Sequence, residues 1–164
     1  MEKYRFTVPE QKRVRMIINT DAKNEADDQF AIVHHLMTPK FVVRGIIAAH
    51  FEDKHPGSDY GTMQRSYDEV VKLLDLMELT SEYGDKLYKG ANVPMPAENT
   101  LVFSEGAQFI IDEAMKDDPR PLYVAFLGTL TDMAAALMVE PQVAEHCTCI
   151  WIGGGAYPEG FLNM

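Results

Sequence analysis

Four short, mostly apolar runs, at residues 14–20, 41–49, 121–127 and 147–152, alternate with stretches whose apolar residues recur at helical spacing. A run of that length without polar alternation suits a strand covered on both faces, as in a parallel sheet flanked by helices. Between the runs, residues 26–37 carry Phe30, Ile32, Val33, Leu36 and Met37 on a helix that Thr38-Pro39 ends. Residues 60–79 place Val70, Val71, Leu73, Leu74, Met77 and Leu79 at spacings near three and four on a longer one. Ser104 is suited to cap a helix reaching about Lys116, and residues 131–139 form another short helix. Residues 81–99 turn through Gly84, Gly90, Pro94 and Pro96, leaving room for one brief strand at 87–89. The order predicts a single α/β domain over residues 1–164, an open, mainly parallel sheet flanked by helices with right-handed crossovers. Gly45, within the second run, predicts close approach of a neighbouring element.

Composition narrows the function classes. A chain of 164 residues, 46% of them hydrophobic, builds one core and is short for two domains. Its 25 Asp and Glu against 15 Lys and Arg give a net charge of −10, which argues against nucleic acid or an anionic membrane as partner and for a neutral or metal-bridged ligand. No apolar run nears the roughly 20 residues of a membrane span, and the first ten residues lack the apolar centre of a secretory signal, so a soluble, cytoplasmic protein is expected. Cys147 and Cys149 suggest neither a disulfide framework nor a four-ligand zinc site and are expected as buried thiols, with Trp151 nearby in the core. Neither a phosphate-binding loop with its Lys nor a G-x-G-x-x-G motif is present.

In parallel α/β sheets, ligands gather outside the carboxyl ends of the strands. The first run delivers Asp21, Asp27 and Asp28 there, with Asn24 and Glu25 in the intervening loop, and the second delivers His50 and Glu52. Gly128-Thr129-Leu130-Thr131-Asp132 follows the third run, and Gly153-Gly154-Gly155 and Tyr157 follow the fourth. Clustered carboxylates repel one another, and a hard cation such as calcium or magnesium relieves the repulsion. The plainer alternative is that Asp27 and Asp28 serve only as favourable negative charge in a first helical turn. Lys23 inside this loop keeps open a magnesium-dependent phosphoryl-transfer alternative. His34 and His35 are expected to pack or face solvent, and His50 to be a loop histidine rather than a catalyst.

These residues resemble the nucleoside hydrolases of the inosine-uridine type. The likeness lies in Asn19-Thr20-Asp21 followed by Asp27-Asp28, in Gly45-Ile46-Ile47-Ala48-Ala49, in Leu127-Gly128-Thr129-Leu130-Thr131-Asp132-Met133-Ala134, and in Ile152-Gly153-Gly154-Gly155-Ala156. The resemblance implies calcium-dependent hydrolysis of the N-glycosidic bond of a ribonucleoside or related ribosylated compound. It casts Asp21 as calcium ligand and general base, Asp28 as a second carboxylate ligand and Thr131 as a backbone-carbonyl ligand. Asp27, Asn24 and Asn163 would then contact the sugar. The chain departs from the family pattern in having five residues between Asp21 and Asp27 rather than three, and Asn19 in place of the first aspartate. His50-Phe51-Glu52 stands where the family has a sugar-contacting asparagine, and the family's second half, with its further aspartate ligand, is not part of this sequence. A weak calcium site, an uncovered sheet edge and homo-oligomerisation are the expectations that follow. The alternative is a non-catalytic fragment serving as a structural or interaction module.

Overall fold

The computed structural model describes residues 5–51 and 61–153. Five strands, β1 (Val14–Thr20), β2 (Phe41–Ala48), β3 (Leu87–Lys89), β4 (Leu122–Phe126) and β5 (Cys147–Trp151), form one sheet in the order β3-β2-β1-β4-β5. Every pairing is parallel. The connections carry helices α1 (Asp27–Met37), α2 (Thr62–Leu76), α3 (Thr80–Tyr83), α4 (Glu105–Ala114), α5 (Thr131–Val139) and α6 (Val143–His146). The alternating runs are thus an α/β parallel sheet, with β1 at its centre and all seven of its residues buried.

Side chains of a strand alternate between faces, and β1 shows the consequence. Met16 and Ile18 join Ile32, Leu36, Val70 and Leu74 in the core on one side, while Ile17 joins Ile110, Val124, Phe126 and Ala136 on the other. Each fully buried aliphatic side chain contributes about 1.5–3 kcal/mol, so both helical layers are held through this one strand. Gly45 meets its expected neighbours: a Cβ there would lie 2.5 Å from the ring of Phe109 and 2.8 Å from that of Tyr88. Ser104 caps α4 as expected, its hydroxyl accepting from the Ala107 N–H.

Several expectations are corrected. The second helix covers Thr62–Leu76 rather than residues 60–79, because Glu78 takes a positive φ of 58° and Leu79 leads into the separate turn of α3. Phe30 and Val71 point to solvent, and the inner faces of α1 and α2 rest instead on Ile32, Leu36, Val70 and Leu74. Trp151 is 42% exposed rather than core, Cys149 is exposed and Cys147 half-buried. The cause is position: among the described residues β5 is the outer strand, pairing with β4 on one side only. Among the described residues, no helix is long and apolar enough to cross a membrane.

Candidate functional site

Because β1 pairs in parallel with β2 and β4, all three strands end at one level, with Thr20 opposite Ala48 and Asn19 opposite Phe126. The chain leaving β1 folds at once into a turn closed by the Asn24 N–H donating to the Asp21 carbonyl at 2.7 Å. Since α1 begins at Asp27, consecutive aspartates point apart: Asp27 faces solvent, whereas Asp28 turns inward to rest 6% exposed beside Asp21 at 7%.

The environment of this pair is acidic and dry. The Thr20 hydroxyl donates to Asp28, and the Asn24 side-chain amide donates to Asp21 at 3.1 Å. Burial is the main force raising the Asp28 pKa, to about 7, with the charges of Asp21 and Asp27 adding to it and the Thr20 bond opposing. Burial likewise raises Asp21, against the stabilising bond from Asn24. Among the described residues, no Lys or Arg offsets either shift. Lys23 turns away to Glu69, 2.9 Å distant, so the loop cation does not serve the aspartates. Two carboxyls in this state hold a proton near neutrality and present oxygen donors to whatever positive charge replaces it. Gly128 makes room for them, since a Cβ at that position would lie 2.5 Å from the Asp21 carboxyl carbon.

Beside the pair, the first turn of α5 gathers the ends of the other strands. Asp132 is 1% exposed and accepts from the Asn19 amide at 2.8 Å, the Ala91 N–H at 2.8 Å and the Ser104 hydroxyl at 2.6 Å. Its neighbour Thr131 is buried, with its hydroxyl 3.0 Å from His50 Nε2, and the Thr129 hydroxyl lies 3.4 Å from the same nitrogen. His50 is a loop histidine, as expected, but a buried one, and burial holds its pKa below the ordinary value against the opposing charge of Asp132.

The sheet edge thus brings Asp21 and Asp28 together, with Gly128 of the segment leading to Thr131 against Asp21, while Asp27, Asn24 and Glu25 are exposed, Asn24 reaching back to Asp21. Asn163, Glu52, Gly154, Gly155 and Tyr157 lie outside the described residues. Among the described residues, no group of three His, Cys, Asp or Glu side chains converges as metal ligands. The donor set is a carboxylate pair, which suits a hard cation in chemistry and is short in number. The sequence places His50 and Asp132 at this edge and Asn19 just before Asp21, but it does not reveal the contacts that join them. The available signal was Asn19 itself, a polar residue inside an apolar run, which demands a buried partner.

A family model for the nucleoside hydrolase-like domain of cellulose-binding Sde182 matches residues 15–147. No curated protein matches the chain in sequence. Among solved structures, a purine-preferring ribonucleoside hydrolase from Gardnerella vaginalis superposes with a TM-score of 0.64 at 18% identity, over 86% of this chain and 49% of its own. A plant nucleoside hydrolase gives 0.62 at 18% identity, over 87% and 48% respectively. A nucleoside hydrolase-related protein from Saccharophagus degradans, associated with carbohydrate metabolism, gives 0.62 at 20% identity, over 87% and 39%. At such identities the likeness is one of fold, and the chain spans about half the length of these structures or less.

Proposed function

The chain belongs to the Sde182 nucleoside hydrolase-like domain family, and from that premise we propose that its Asp21–Asp28 edge serves calcium-dependent hydrolysis of the N-glycosidic bond of a ribonucleoside or related ribosylated compound. The observation that carries this reading is a buried carboxyl pair with no positive partner among the described residues, burial raising both pKa values, that of Asp28 to about 7. Asp21 and Asp28 would hold the cation with the backbone carbonyl of Thr131. Calcium, when bound, would supply charge that acidifies water and orients the sugar diol. Asp21, its basicity raised by burial, would accept the proton from water. The paired carboxylates also stabilise positive charge developing on the sugar ring as the base departs. Asp27, exposed at the mouth of the site, accepts hydrogen bonds from ribose hydroxyls, with Asn24 and Asn163 as further sugar contacts.

The test is release of free base from purine and pyrimidine ribonucleosides, with calcium and with a chelator. Asp21→Ala is expected to abolish release while the variant unfolds cooperatively as before. Undiminished turnover in that variant would sink the reading.

A second reading is a non-catalytic module that keeps the fold. It is supported by the carboxylate pair lacking a third acidic or histidine ligand among the described residues. Calcium binding without base release from any ribonucleoside would favour it.

A further inference from the structure

Asn19 precedes Asp21 by two residues on β1, and Asp132 directly follows Thr131 in α5. The hydrogen bond from the Asn19 amide to Asp132 Oδ2, at 2.8 Å, therefore joins the two chain segments proposed to hold the cation. The other carboxylate oxygen is occupied as well, accepting from the Ala91 N–H at 2.8 Å and the Ser104 hydroxyl at 2.6 Å. Ser104 in turn accepts from the Ala107 N–H at 2.9 Å, so α4 is tied into the same knot. Gly90 lets the chain after β3 come this close, because a Cβ there would sit 2.5 Å from Asp132 Oδ2. With both oxygens engaged and the side chain 1% exposed, Asp132 has no path to a ligand of its own.

We infer that Asp132, through its bond to Asn19, is a positioning residue that sets the Thr131 backbone against the Asp21–Asp28 pair and so determines cation affinity. The inference rests on the calcium reading above. A buried carboxylate held by an amide, a backbone N–H and a hydroxyl from three separate elements fixes a junction more sharply than apolar packing does, because each donor has a preferred direction. A purely structural role makes a different forecast. It lowers the stability of the metal-free protein when disrupted, and leaves the calcium affinity of the folded protein alone.

The pair also allows an exchange. An asparagine at 132 still accepts from Ala91 and Ser104 through its carbonyl oxygen, and its amide donates back to an aspartate at 19. The experiment is calorimetric titration with calcium alongside thermal unfolding, for the unaltered chain, Asp132→Ala, Asn19→Asp and the double exchange N19D/D132N. Asp132→Ala is expected to weaken calcium binding by ~10–100-fold, the range for groups that orient metal ligands from behind. Asn19→Asp alone sets two buried carboxylates face to face and lowers the unfolding temperature. The double exchange restores both the unfolding temperature and the affinity. Calcium binding by folded Asp132→Ala as tight as that of the unaltered chain would overturn the inference, as would a double exchange no better than its weaker parent. If Asp132→Ala does not fold, the double exchange decides the matter. Absence of binding by the unaltered chain defeats the calcium reading itself, and this inference with it.

Discussion

Strand β1 begins and ends in buried charge, and the two ends are built on opposite terms. At its start, Arg15 is buried against Glu113, with its guanidinium 3.3 Å from the carboxylate and 2.6 Å from the Glu113 carbonyl. Arg44 at 2.9 Å and Lys116 at 2.5 Å converge on the same carboxylate, and Asp118 faces Arg15 and Arg120. Those arginines hold the Asp118 carboxyl well below its usual pKa. At the other end Asp21 and Asp28 share their burial with no cationic side chain among the described residues, and both pKa values rise. A buried ion pair with its hydrogen bonds complete is a structural element, whereas buried like charges without a partner cost stability and persist where a ligand or reaction uses them. The contrast lies within one strand, so differences in fold or layer do not explain it.

If the Arg15 end is structural, breaking it should produce the largest loss. Glu113→Ala strands Arg15 in the interior and is expected to cost about 3–5 kcal/mol in denaturant unfolding. A loss no larger than that of a surface substitution would erase the contrast from this side. At the Asp21 end the sign reverses. Asp28 is raised from 3.8 to about 7, so the folded state favours its protonated form. That stabilising preference is fully present below about pH 4 and is lost as pH climbs through about 7. Unfolding of the metal-free protein should therefore show stability falling across this window, and Asp28→Asn should flatten the fall. A stability rising with pH over the same range would place a positive partner beside Asp28.

How legible each end was in the sequence follows from the range of its contacts. The strands and the aspartate cluster are local signals: apolar runs fix β1, β2 and β4, and Asp21, Asp27 and Asp28 fall within eight residues of one loop and helix start. Even so, which aspartate faces inward depends on where α1 begins, and only the helix start at Asp27 separates Asp28 from its exposed neighbour. The partners of Asn19 and Arg15 lie 113 and 98 positions away. No local spacing reveals them, although a polar residue inside an apolar run announces that some partner exists. The loop position of His50 was legible, but its burial was not, since its polar contact, Thr131, lies 81 positions on. Trp151 and Cys149 failed differently: an apolar run reads as an interior strand, and nothing in its composition tells that β5 has a neighbour on one side only.

The central claim, that Asp21 and Asp28 form a cation seat kept partly protonated for want of a positive partner, is tested most directly by calorimetric titration with calcium just below neutral pH, in two buffers of different ionisation heat. The account predicts that calcium binds with release of a proton from the pair, and that both binding and proton release disappear in Asp28→Asn. Absence of binding, or binding that releases no proton and survives Asp28→Asn unchanged, would contradict it.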